Sequence, residues 1–220
     1  MRFLLTSAGI SNNSIRTALV DLLGKRIADA TALCIPTAVY AVPNGPAEAW
    51  RQIRAWSELG WKAFGVLEFT ALPSVRQEDW LPLVRAADAL LVGGGENLCL
   101  CYWVRQTGLA ATLPSLLRDT VSVGASAGSM LVAQTFGQHY HGIDPPTGSD
   151  KALGLVDFKL HPHLDAEYMP LASLASLAHL AAWAAGLAVP TYAIDNQTAL
   201  KVTDGGVEVV SEGHWHRLSP

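Results

Sequence analysis

Two short apolar runs in this chain end directly in small residues, and that pattern leaves few folds open. Residues 89–92 read ALLV and run into Gly93-Gly94-Gly95; residues 121–123 read VSV and run into Gly124-Ala125-Ser126-Ala127-Gly128. A short apolar run without polar alternation fits a strand buried on both faces, and glycine marks where such a strand turns sharply. Strand-like stretches also cover residues 2–6, 32–38 and 63–69, separated by helical spacing over 14–24, 46–59 and 77–87. Ile15, Leu19, Leu22 and Leu23 share one face of the first helix, which Ser14 could cap; Trp50, Ile53 and Trp56 line the second. Residues 96–105 and 111–118 read as further helices. Strands spaced by helices pair in parallel through right-handed crossovers. The expected fold is α/β: a doubly wound, mostly parallel sheet with helices on both faces. Past residue 190 short strands follow at 192–194, 199–203 and 207–210, and Asp204-Gly205-Gly206 signals a C-terminal β-hairpin. A length of 220 residues without internal repeats fits one domain over 1–220.

Folds of this kind place their sites beyond the carboxyl ends of the strands. Both glycine-rich clusters lie at such ends, so they can meet in space. Gly124-Ala125-Ser126-Ala127-Gly128 is a Gly-x-Ser-x-Gly sequence at a strand-to-helix junction. There a serine takes a strained conformation that lifts its Oγ above the sheet, and its neighbours must be small because strand and helix backbones close on each other. The N–H groups from Ala127 onward then face developing negative charge. The same pentapeptide also fits an ordinary glycine-rich connection with a capping serine.

A serine nucleophile needs a base. Of the seven histidines, His139 and His141 sit in a polar stretch, His179 in an alanine-rich helix, and His214 and His216 near the end. His161-Pro162-His163 follows a strand-like run over 155–160 and ends it much as Ser126 ends its own. In an extended segment the two rings point opposite ways, so only one can serve. Neither histidine pair has a third partner at a recognisable zinc spacing, so no metal and no cofactor is expected.

Three segments together resemble peptidase E and its relatives, serine peptidases on a fold similar to class I glutamine amidotransferases: VGGGENLCL (92–100), VGASAGSM (123–130) and LGLVDFKLHPHLD (153–165). The order and spacing agree from the first strand to about residue 200. The resemblance implies Ser126 as nucleophile, His163 as base, and the N–H groups of Gly95 and Ala127 as oxyanion hole. It implies metal-independent hydrolysis of short peptides, in the best-known members after an N-terminal aspartate.

Two departures bear on that specificity. Glu96 stands where the best-known members have asparagine, and no arginine occurs between Ser126 and His163 to hold an aspartate side chain. A carboxylate without a cation makes a poor aspartate pocket. Glu96 could instead hold a substrate's α-ammonium, or serve only as the first-turn acid of its helix. The acid that orients the histidine has three candidates. Asp165 lies two residues past His163, Asp195 lies in AIDNQTAL, a stretch similar to that of cyanophycinases, and Asp144 follows the serine helix. The local spacing favours Asp165.

The remaining features exclude rather than assign. A net charge of −4 without long charge runs argues against nucleic acid. Cys34, Cys99 and Cys101 are odd in number and sit in apolar contexts, as free thiols of a reducing cytoplasm do. The start, MRFLLTSAGISNN, has too short an apolar stretch for a signal peptide and reads as a strand. Residues 171–189 are mostly alanine, contain His179, and read as a buried helix rather than a membrane span. The expected partner is a small peptide, with no nucleic acid and no membrane; a homodimer stays open. The alternatives are a cyanophycinase-like or other amidase on the same fold, and a binding protein that keeps the serine turn for structural reasons.

Overall fold

The computed structural model describes residues 1–136, 149, 151–166, 189–204 and 206–218. In chain order the strands are β1 (Arg2–Thr6), β2 (Thr31–Ile35), β3 (Ala63–Val66), β4 (Ala89–Val92), β5 (Val121–Ala125), β6 (Lys159–His161), β7 (Thr191–Ile194), β8 (Thr198–Thr203), β9 (Gly206–Ser211) and β10 (Trp215–Leu218). The helices are α1 (Asn13–Leu23), α2 (Gly45–Ser57), α3 (Gln77–Ala86), α4 (Asn97–Gln106), α5 (Leu109–Leu116) and the single turn α6 (Ala127–Met130). Seven strands form one sheet in the order β3-β2-β4-β5-β1-β8-β9. The first five are parallel; β8 runs antiparallel to β1 and β9 antiparallel to β8. This is the expected doubly wound architecture with its C-terminal hairpin.

Side-chain alternation shows why both faces are covered. On β1, Phe3 and Leu5 enter one core with Leu90 and Val92 of β4, and Leu4 enters the other with Ala89 and Leu91. The first core is closed by Trp80 and Val84 of α3, Leu100 and Val104 of α4, and Leu109 of α5. The second is closed by Ile15, Leu19 and Leu22 of α1 and Trp56 of α2. Each fully buried side chain of this size contributes about 1.5–3 kcal/mol from burial alone, so neither layer can be removed without exposing the sheet.

Several boundaries differ from the pattern reading, each for a local reason. The α1 cap is Asn12, whose Oδ1 accepts the Ile15 N–H at 2.9 Å, rather than Ser14. In α2 the buried stripe runs through Ala49 and Trp56, and Trp50, one residue round the helix, is 64% exposed. Strand β2 stops at Ile35 because Pro36 has no N–H to donate, and a 3₁₀ turn over Thr37–Ala41 follows. The run 155–160 gives only β6, which belongs to a second sheet, β10-β7-β6, that the sequence pattern does not reveal. The expected helix over 171–189 lies, but for its last residue, outside the described residues. Among the described residues no helix is long and apolar enough to cross a membrane.

Backbones pack closely where β5 turns into α6. A Cβ on Gly124 would stand 2.5 Å from the Ser129 nitrogen, and one on Gly128 would collide with the Val92 carbonyl at the end of β4. These are backbone atoms and cannot swing aside. Gly128→Ala is therefore expected to cost about 1–3 kcal/mol or more by overpacking, read as a lower denaturation midpoint in guanidinium. A loss below about 0.5 kcal/mol would mean that the turn yields more easily than its contacts imply.

Candidate active site

Ser126 closes the turn after β5 with φ 51 and ψ −113, a region that a non-glycine residue rarely occupies. Three bonds hold it there. Its N–H donates to Thr6 O at 3.1 Å, and its own carbonyl accepts from Ser129 N at 2.9 Å and Met130 N at 3.0 Å. The Ser129 hydroxyl also donates to Thr6 O at 2.7 Å, so the end of β1 pins both ends of the turn. The glycine loop after β4 comes alongside, since a Cβ on Gly94 would stand 3.1 Å from Ser126 Cβ. The two glycine clusters thus meet as expected, with Gly94 rather than Gly95 lying against the serine. Gly95 has φ 140, and its Cα packs on the Ala38 backbone. The helix behind Ser126 is one turn long, so its macrodipole is small. Ala127 begins it, where an N–H has no intrahelical acceptor.

His163 stands just beyond β6, with Nε2 at 2.9 Å from Ser126 Oγ. Its φ is 62, a second strained backbone at this point. Its Nδ1 lies 2.9 Å from Asn196 Oδ1 and 3.1 Å from Ser7 Oγ. Ser7 is fully buried; its hydroxyl donates to Asn196 Oδ1 at 2.8 Å and accepts the His163 backbone N–H at 2.8 Å. An amide oxygen that accepts from Ser7 can also accept from Nδ1–H, so the network assigns the proton to Nδ1 and leaves Nε2 free to accept from Ser126. Burial pushes the His163 pKa below its ordinary value of 6.5, and the bond to Asn196 opposes that only in part.

The structure brings Ser126 and His163 together and does not bring Asp165 to the imidazole. Asp165 also has a positive φ, 55, and between the two Leu164 turns inward, 2% exposed, its N–H bonded to Ile194 O at 3.0 Å. The carboxylate emerges on the surface and pairs with His214 Nε2 at 3.0 Å. Asp195 is committed elsewhere too. Its Oδ1 accepts from Gln197 N at 3.0 Å and Thr198 Oγ1 at 2.6 Å, and its Oδ2 accepts from His214 N at 2.9 Å. These bonds lock the three-residue link between β7 and β8, and that link presents Asn196. Asp144 lies outside the described residues.

Asn196 and Ser7 are the two members that the sequence reading passed over. Both had a positional signal: Ser7 follows the buried strand next to β5, and Asn196 follows Asp195 at another strand end. A search for carboxylates selects against Asn196, although an amide oxygen accepts Nδ1–H as well. Glu96 caps α4, its Oε2 accepting from Cys99 N at 2.5 Å, and is 6% exposed. The thiols are poor candidates for a nucleophile: burial pushes Cys34 up to about 12 and raises Cys99 and Cys101 as well.

Comparison with known proteins is consistent with this geometry. The sequence model of peptidase family S51 matches residues 3–210. Peptidase E of Streptomyces coelicolor is 37% identical over 87 residues, 37% of this chain and 35% of that protein. The chain therefore aligns with about a third of that curated relative's length. Among solved structures, a candidate peptidase E protein from Listeria monocytogenes EGD-e superposes with a TM-score of 0.71 at 19% identity, covering 96% of this chain and 98% of that one. A peptidase from an acI-B1 Actinobacterium gives 0.68 at 20% identity, covering 99% and 90%. At such identities the structural likeness speaks for the fold.

The arrangement makes His163 an expected low titrator. A ring that resists protonation keeps its neutral, proton-accepting form to lower pH, so its NMR midpoint is expected below 6.5. Asn196→Asp sets a carboxylate against Nδ1 and is expected to move that midpoint upward. An unshifted midpoint in the variant would remove Asn196 from the ring's environment.

Proposed function

Because the chain belongs to peptidase family S51, we propose that it is a serine peptidase that hydrolyses short peptides through an acyl-enzyme. The observation that carries this reading is the 2.9 Å approach of His163 Nε2 to the Oγ of a serine held at positive φ. In the first step Ser126 Oγ attacks the scissile carbonyl carbon while its proton passes to Nε2. The carbonyl oxygen becomes an oxyanion, which the N–H groups of Gly95 and Ala127 would hold. His163 then gives the proton to the leaving amine as the C–N bond breaks. Water, deprotonated by the same imidazole, releases the acyl group and restores Ser126.

In this reading the third member is Asn196, not Asp165. An amide oxygen holds the tautomer and the ring orientation, as asparagine does in Cys-His-Asn proteases. It does not neutralise the imidazolium, which agrees with the depressed His163 pKa. Ser7 acts on the ring through Asn196 and through the His163 backbone N–H, and is a positioning residue. No step draws on a metal or cofactor. Strict preference for N-terminal aspartate is not part of the proposal, since no arginine lies between Ser126 and His163 and an acid, Glu96, follows the glycine loop. The free thiols of Cys34, Cys99 and Cys101 fit a cytoplasmic enzyme.

A fluorophosphonate probe tests the nucleophile and a library of free dipeptides tests the reaction. Ser126→Ala is expected to abolish labelling and to lower kcat/KM roughly a thousandfold or more, with the fold retained. His163→Ala is expected to do the same, whereas His161→Ala keeps activity wherever it folds. Hydrolysis within a few-fold of the parent in Ser126→Ala would end the serine-peptidase reading.

A further inference from the structure

Asp165 and Asp195, the two acids that do not serve the base, meet on one side chain. His214 Nε2 lies 3.0 Å from Asp165 Oδ2, and His214 Nδ1 lies 3.1 Å from Asp195 Oδ2. The three residues come from three places: the turn after β6, the link between β7 and β8, and the connection from β9 to β10. An ionised carboxylate only accepts, and a neutral imidazole has one N–H and one lone pair. A neutral ring here would turn its lone pair on one of the two carboxylates. A ring with both nitrogens protonated suits both at once.

The two carboxylates stand on the segments that hold the base and its partner. Asp165 lies within the turn His163–Ala166, which Ala166 N–H closes by donating to His163 O at 3.1 Å. Two residues of that turn have positive φ, 62 at His163 and 55 at Asp165, and such backbones persist only where their surroundings hold them. Ser7 and Ile194 hold its first half through the His163 and Leu164 N–H groups, and His214 holds Asp165. Asp195 directly precedes Asn196, and the β9–β10 connection is seated on it. His214 N donates to Asp195 Oδ2 at 2.9 Å, Asp195 N donates to His214 O at 3.3 Å, and a Cβ on Gly213 would collide with the Asp195 carboxylate. Backbone bonds thus fix the connection on the Asn196 side, and the His214 ring carries the hold across to the turn of His163. Other charged or titratable neighbours along the connection are Glu212, whose Oε1 accepts from Ser14 N at 2.9 Å, the exposed His216, and Arg217, whose guanidinium lies 5.9 Å from the centre of the Tyr192 ring.

We propose that His214 is a positioning residue for the base: as an imidazolium between Asp165 and Asp195 it ties the turn of His163 to the link of Asn196, so that ring and amide keep their 2.9 Å contact. That the tie serves catalysis rests on the serine-peptidase reading above. The arrangement makes the site sensitive to pH from two sides. His163 must be neutral to accept the serine proton, whereas His214 must keep both of its ring protons to hold the turn.

NMR of histidine-labelled protein and fluorophosphonate labelling test this on the parent, His214→Gln, Asp165→Asn and the double variant. The His163 Nδ1–H, which faces Asn196, reports the tie without any turnover. At about pH 6 its exchange with water is expected to be about two- to fivefold faster in each single variant than in the parent, the weight of an exposed ion pair. At about pH 9, well above the ordinary histidine value of about 6.5, parent and variants are expected to agree. The labelling rate is expected to drop by a similar factor with the same pH pattern. The double variant is expected to be no worse than either single one, since both cut the same pair. Substitution of His214 leaves its backbone bonds to Asp195 in place, and a thermal midpoint checks the fold. Parental exchange in His214→Gln at about pH 6 would overturn the proposal. An equal loss at both pH values, as a merely structural side chain would give, would overturn it too. The exchange pattern without labelling of the parent fails only the peptidase, and labelling without the exchange pattern fails only the tie.

Discussion

The site depends on how closely the backbone after β5 can approach the end of β4. With no side chain on Gly124 or Gly128, α6 starts against the Val92 carbonyl and the glycine loop lies on Ser126. Any Cβ at those two positions would push the helix away and relax the strained conformation of the serine. The strain is held from outside, by Thr6 at the end of β1, which accepts from both Ser126 and Ser129. Strand pairing, glycine contact and the geometry of Ser126 are in this sense one constraint. Strained backbones persist only where the surroundings over-determine them.

The opposite half of the site comes from a separate piece of structure. The main sheet supplies Ser126 and Ser7 from the ends of two adjacent strands, β5 and β1. The small sheet supplies His163 from the end of β6 and Asn196 from the end of its neighbour β7. Ser7 bridges the two, bonded to the His163 backbone and to the Asn196 side chain at once. Its hydroxyl thereby aligns the ring of one sheet on the serine of the other. The bonds are short, partly buried and join residues far apart in the chain, so a small displacement of either sheet would break several together.

A neutral amide behind the imidazole gives the site a particular electrostatic character. Among the described residues, the two sequence-proposed carboxylates are used elsewhere: Asp195 fixes the β7–β8 link, and Asp165 pairs with His214 at the surface.

The strand-and-helix alternation, the glycine-ended strands and the serine between them were legible because each rests on short-range constraints. Periodicity records which side chains face a core, and a cluster of small residues records a close backbone approach. Ser126 and His163 could be read because each ends a strand, and strand ends of a doubly wound sheet converge. The second sheet could not be read, since three strands of three or four residues carry too little pattern to show which partner each takes. The partner of His163 Nδ1 could not be read either. Asp165, Asp195 and Asn196 lie within a few residues of strand ends and differ only in where the folded chain turns their side chains. The positive φ at His163 and Asp165 and the hydrogen-bonded link at Asp195 decided that. Local chemistry in the sequence fixes which residues are able to take part; the direction of a side chain at a turn depends on packing from elements far along the chain, and only the tertiary structure sets it.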